Sequence, residues 1–251
     1  MQWEFNSHIC QRQESNACRN KGKKEKMSFK SPFQQNFQER ANAFEQLTPS
    51  SALGFELAMQ VENAKWYDLT QTHAHDALQF TRIVKRATEP FAPIIRQGFA
   101  LDVAYGKKLS ALPDDYAITA DDLETTMKAQ GRLIMPGGVL LIRTGFGQFW
   151  DDAAKYSHVA SLSADAQQWI LAKHPSALGM DTALWDTAGA ELCERNGILI
   201  VEHLNLESLA AEFIDHVLFV AAPPKAQGVT SVPVRPLALE VQVQSPEFMP
   251  T

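Results

Sequence analysis

Cysteine is scarce here: three residues in a chain of 251, at Cys10, Cys18 and Cys193. The first two fall in a polar stretch and the third stands alone, so no disulfide framework or thiolate metal site can be built from them. Packed or tolerated thiols are the expected reading. Long apolar runs are also missing. No stretch approaches the roughly 20 residues needed to cross a bilayer, and residues 1–10 are polar where a signal peptide requires its apolar segment. The expectation is a cytoplasmic protein with no membrane partner. Basic charge is in deficit, with 23 Lys and Arg against 29 Asp and Glu for a net charge of -6, which gives no electrostatic reason to bind nucleic acid. Nor is there an internal repeat or a glycine-rich phosphate loop. Gly145-Phe146-Gly147 lacks the third glycine and the helix-opening context of a dinucleotide fingerprint, and reads as a turn after a strand. A small-molecule partner is what these absences leave open.

The composition is 45% hydrophobic and 21% charged, ordinary for a globular protein, and the length suits one generous domain. Residues 1–45 stand apart. They are polar, with Arg19, Lys21, Lys23, Lys24, Lys26 and Lys30 grouped around Met27. Such a stretch buries too little apolar surface to offset its ordering entropy, so a mobile tail is expected. Met27 offers an alternative start, which would make residues 1–26 an upstream extension. A folded domain is expected over 50–242, followed by a C-terminal tail over 243–251.

Within that domain, strand-like and helix-like segments alternate. Helical spacing marks 51–64, and aromatic and β-branched residues mark a strand at 66–70. The apolar runs FALDVA (99–104) and VLLIR (139–143) suit strands buried on both faces. Thr119 and Asp122 form a capping-box-like start to a helix that Gly131 would end. A second helix is expected from Ser163 and stops before Pro175. Strands at 198–201 and 217–222, with a short helix at 206–213 between them, complete an α/β pattern.

The densest set of candidate ligands is Thr72-His73-Ala74-His75-Asp76. In an extended segment His73 and His75 point to one side, so both could reach one divalent ion while Asp76 adds an oxygen from the adjoining turn; the same residues also suit a polar loop. Imidazole with carboxylate fits zinc or manganese. Glu202, with His203 beside it, ends a strand, where an α/β sheet often carries a functional carboxylate; a strand terminus meeting solvent is the alternative. His158, His174 and His216 lack acidic neighbours in sequence and read as surface residues. Asp181 and Asp186 suit either a turn or a site.

The order of segments resembles the cyclase family that includes bacterial kynurenine formamidase and isatin hydrolase. The matching stretches are YDLTQT (67–72), RQGFALDVA (96–104), LPDDYAITADDLE (112–124), GGVLLIRTGFGQFW (137–150), LGMDT (178–182), RNGILIVEHLNLESLA (195–210) and HVLFVAAPPKAQGVTSVPVRPLAL (216–239). The resemblance implies a swivelling β/β/α domain with a mixed central sheet, assembled as a homodimer or homotetramer. It also implies a divalent metal site at the end of the sheet, with Glu202 as one ligand. The implied activity is hydrolysis of an amide, lactam or lactone bond in a small molecule, through metal activation of water.

Two departures from the family pattern stand out. The family's His-x-Gly-Thr-His-x-Asp string is shortened to Thr72-His73-Ala74-His75-Asp76-Ala77, and Gln79 falls where a later histidine is expected. Twelve residues before Glu202, where formamidase-like members carry a histidine, this chain has Ala190. Part of the metal motif is therefore missing. Either His73, His75, Asp76 and Glu202 rebuild a site, or the chain is an inactive family member serving as a binding or oligomerisation module.

Overall fold

Nine strands form one mixed sheet in the computed structural model, which describes residues 58–72, 80–84, 91–131, 133–156, 160–183 and 187–240. All of these belong to one unit spanning residues 54–251. In chain order the strands are β1 (Lys65–Asp68), β2 (Arg82–Val84), β3 (Ile94–Asp102), β4 (Ala117–Ile118), β5 (Val139–Arg143), β6 (Ser161–Leu162), β7 (Ala177–Met180), β8 (Leu199–Glu202), β9 (His216–Ala221), β10 (Ser231–Pro233) and β11 (Leu237–Glu240). The order across the sheet is β1-β11-β9-β3-β5-β7-β8-β2-β10, and β4 pairs separately with β6.

The middle of the sheet, β3-β5-β7-β8, is parallel, while β9, β11 and β1 on one side and β2 and β10 on the other run antiparallel. Every residue of β5 is buried. Leu140 and Ile142 pack with the helices on one face, whereas Val139 and Leu141 join a second core that includes Tyr67, Phe219 and Ala238. A strand covered on both sides needs a continuous apolar run, which is why VLLIR is legible in the sequence. The sheet curls strongly: Thr70, just past edge strand β1, forms an antiparallel bridge with Leu204, just past β8.

Two helices begin where their caps place them. Thr119 accepts from the Asp122 amide, and Asp122 accepts from the Thr119 amide, opening Ala120–Ala129. Ser163 caps Ala164–Ala172 singly, its side chain accepting from the Ala166 amide. Gly131 follows the first helix at φ +64°, the left-handed conformation that glycine adopts without cost. The strand expected over 99–104 is longer at its start and shorter at its end. Asp102 accepts from the Tyr105 amide and caps a single turn, Val103–Gly106, so Val103 and Ala104 are helical. Helix is present over 58–63; the rest of the expected 51–64 helix, like the 1–45 and 243–251 tails, lies outside the described residues. Cys193 is buried among helix-facing side chains, and burial pushes its thiol up to about 12, as expected of a packing cysteine.

Candidate functional site

The parallel strands deliver their last residues to one end of the sheet: Asp102 from β3, Arg143 from β5, Asp181 just after β7, and Glu202 and His203 from β8. Ligands of open α/β sheets gather at this end. Glu202 and His203 do not meet solvent, being only 6% and 2% exposed. Antiparallel register sets Arg82 directly opposite Glu202, and its Nε donates to Glu202 Oε2 at 2.7 Å. A buried carboxylate needs such a partner, because its desolvation is otherwise uncompensated.

His203 sits in a tight set of contacts. Its backbone is left-handed, with φ +59°, a conformation that costs a non-glycine residue of order 1 kcal/mol or more and recurs at functional positions. Its carbonyl accepts from Thr81 Oγ1 at 2.7 Å, and its ring lies against Trp150 and Tyr156. The Tyr156 hydroxyl donates to the Asp181 carbonyl at 2.7 Å and lies 2.8 Å from His203 Nδ1. With its one proton committed to the carbonyl, Tyr156 can only accept from the imidazole, which assigns the proton to Nδ1 and leaves Nε2 with a lone pair. Burial lowers the imidazole pKa to about 4, so His203 is neutral at physiological pH.

Asp181, open between turn and site in the sequence, is a fully buried anchor. Its carboxylate accepts from the Thr144 amide at 3.0 Å, the Thr144 hydroxyl at 2.8 Å and the Gly145 amide at 2.8 Å. Gly145-Phe146-Gly147 is therefore the turn after β5, and the turn encloses a carboxylate rather than a phosphate. Gly145 has φ +84°, and a Cβ there would stand 2.2 Å from the Ser110 carbonyl oxygen. Desolvation raises the Asp181 pKa to about 6 despite the opposing hydrogen bonds from Thr144 and Gly145. Next to this turn Arg143 bridges two acids: it donates to Asp102 at 2.9 Å and to Glu207 at 2.7 Å. Nothing in the local sequence signals either arrangement, since the partners come from distant segments.

His73, His75 and Asp76 lie outside the described residues, as do Gln79, His158, Asp186 and the side chain of Ala190. The segment's flanks are described, and they converge on the Glu202 end of the sheet. Trp150 Nε1 donates to the Thr72 carbonyl at 2.7 Å, and the Gln71 amide donates to Thr81 Oγ1 at 3.0 Å. His174 is exposed, and His216 is an exposed residue stacked on Phe99. Among the described residues no group of three or more His, Cys, Asp or Glu side chains could hold a metal ion. Glu202 and His203 by themselves supply too few donors to hold one.

No described helix is long and apolar enough to cross a membrane. The fold is shared with several solved structures. A crystal structure of a novel cyclase superposes with a TM-score of 0.60 at 16% identity, covering 79% of this chain and 93% of that one. An isatin hydrolase bound to the product analogue thioisatinate gives 0.60 at 17% identity, covering 78% and 100%. Isatin hydrolase A from Ralstonia solanacearum gives 0.58 at 20% identity, covering 77% and 97%. No curated protein sequence matches the chain. The Cyclase family model matches residues 32–187, and on that match, supported by an α/β fold with a large curled mixed sheet, the chain belongs to the cyclase family.

Proposed function

We propose that this chain is a metal-dependent hydrolase that cleaves an amide, lactam or lactone bond of a small molecule. Glu202, His73, His75 and Asp76 would hold a zinc or manganese ion at the end of the sheet. The observation that carries this reading is the convergence of the 73–79 flanks on Glu202 and His203: Thr72 is held by Trp150, and Thr81 donates to the His203 carbonyl. Three further donors from that segment would complete the set that the described residues lack. A divalent cation there would supply an activated water near neutral pH and polarise the scissile carbonyl. Arg82 and Tyr156 orient Glu202 and the neutral His203, and the Trp150 ring packs against that imidazole. The structural relatives that carry the isatin hydrolase name support the hydrolase class, and a homodimer or homotetramer is the proposed assembly.

The purified full-length chain, analysed by plasma mass spectrometry after dialysis against metal-replete buffer, is expected to hold about one zinc or manganese per subunit. Glu202→Gln should lower that occupancy. Metal-free folded protein would refute the reading. A specific observation favours a second one: the Arg82 guanidinium already neutralises Glu202, as suits a non-catalytic family member that binds small molecules or assembles. Silence towards isatin, N-formylkynurenine and simple lactones, with and without added metal, would support that alternative.

A further inference from the structure

His203 is held at both of its backbone groups and at one ring nitrogen. Its amide donates to the Thr182 carbonyl at 3.3 Å, its carbonyl accepts from Thr81 Oγ1 at 2.7 Å, and Nδ1 meets the Tyr156 hydroxyl at 2.8 Å. Side chains alternate along a strand, so residue 203 would point away from Glu202 if β8 ran on. The left-handed backbone at φ +59° ends that alternation, and the Glu202 charge acts on both the Tyr156 hydroxyl and the His203 ring. Carboxylate and imidazole are thus neighbours at the sheet end.

The remaining ring nitrogen is Nε2. With the proton on Nδ1 it carries the lone pair, and among the described residues it has no hydrogen-bond partner. Nor is it sealed in: the buried polar side-chain atoms without a partner, among the described residues, are Thr70 Oγ1, Gln130 Oε1 and Thr182 Oγ1. Packing alone would leave this nitrogen unsatisfied. A fixed, neutral imidazole that donates through one nitrogen to an acceptor and keeps the other bare is the state in which histidines ligate metals, the acceptor setting tautomer and ring orientation. The chain also enters the 73–76 segment at this point. Thr70 bridges to Leu204, Thr81 Oγ1 links the Gln71 amide to the His203 carbonyl, and Trp150, whose ring packs against His203, donates to the Thr72 carbonyl.

Resting on the hydrolase reading above, we infer that His203 Nε2 is a ligand of the divalent ion beside Glu202, with Tyr156 as the positioning residue that holds it ready. Nitrogen NMR of the full-length chain with labelled histidines reads this directly: on addition of zinc the His203 Nε2 resonance, assigned by its absence from His203→Gly or His203→Gln, should move to the position of a metal-bound nitrogen. Zinc affinity is measured by competition with a chromophoric chelator. Tyr156→Phe keeps the ring but removes the acceptor and should weaken zinc about tenfold, as loss of an outer partner does. His203→Gly suits the left-handed backbone and should weaken zinc further. Free imidazole should then restore its affinity, whereas pyrrole, a ring of the same size without a lone-pair nitrogen, should not; a purely structural role would be served by either. An unmoved Nε2 resonance in zinc-loaded wild type, unchanged affinity in Tyr156→Phe, or equal rescue by pyrrole would overturn the inference, and if Glu202→Gln still lowered occupancy the hydrolase reading would stand without it. Wild type that takes up no zinc or manganese at all would remove both. Should His203→Gly not fold, the wild-type resonance and Tyr156→Phe decide the matter.

Discussion

Replacing His203 with glutamine isolates one proton whose energetic sign is fixed by burial. In the unfolded chain a histidine titrates near 6.5, whereas burial lowers the native value to about 4. Between those values the unfolded state binds the proton and the native state does not, so stability rises with pH across that window and is lost as pH falls through it. The size of the effect is about 3 kcal/mol, at about 1.4 kcal/mol for each pKa unit. His203→Gln removes this contribution and keeps an amide able to meet the Tyr156 hydroxyl. Wild type and variant are compared by urea denaturation at intervals from pH 4 to pH 7. The stability of the variant relative to wild type should decline by about 3 kcal/mol from the acid end to the neutral end. Other titrating groups, including Asp181 with its opposite dependence, are common to both proteins and cancel in the difference. Parallel profiles would show that the native imidazole is not held neutral, and the proton assignment through Tyr156 would fail with it.

Two further substitutions probe the surrounding framework. Arg143→Met would leave Asp102 and Glu207 without their shared counter-ion and should cost about 3 kcal/mol in urea denaturation, since removing one member of a mostly buried ionic set strands the rest; a loss under 1 kcal/mol would show the network to be effectively solvated. Gly145→Ala would force a left-handed alanine and a Cβ 2.2 Å from the Ser110 carbonyl, so a loss of about 4 kcal/mol or more is expected, read as a fall in thermal midpoint or in soluble yield, whereas Gly147→Ala, with nearest contacts of 3.3 Å, should be far milder.

Local signals in the sequence are legible where the physics is local. Thr119 with Asp122, and Ser163, cap helices through atoms a few residues away, so their positions follow from sequence alone. The fully buried β5 shows as an apolar run for the same reason. The boundary after β3 was less legible because Asp102, inside an apolar run, turns the backbone by capping it. β10 and β11 hold only three and four residues, too short for a periodic pattern to stand out. At the candidate site the strand-end position of Glu202 is legible in the sequence, but its burial is not, because Arg82 reaches it through register rather than sequence proximity. The role of Asp181 is not legible locally, since its donors lie 36 and 37 residues earlier. Tyr156 and Arg143 carried no signal at all, as each acquires its role from partners on separate segments.

The strand order has a consequence for how a newly made chain can reach this structure. Among the described residues β1 pairs only with β11, and Tyr67 meets Glu240, 173 positions further along the chain. During synthesis the first strand must therefore wait, unpaired and presenting Trp66 and Tyr67, until nearly all of the domain has emerged from the ribosome, while β3, β5, β7 and β8 can already assemble. Contacts so distant slow folding, and any ribosomal stall before Leu237 leaves an aromatic strand edge open to neighbouring nascent chains.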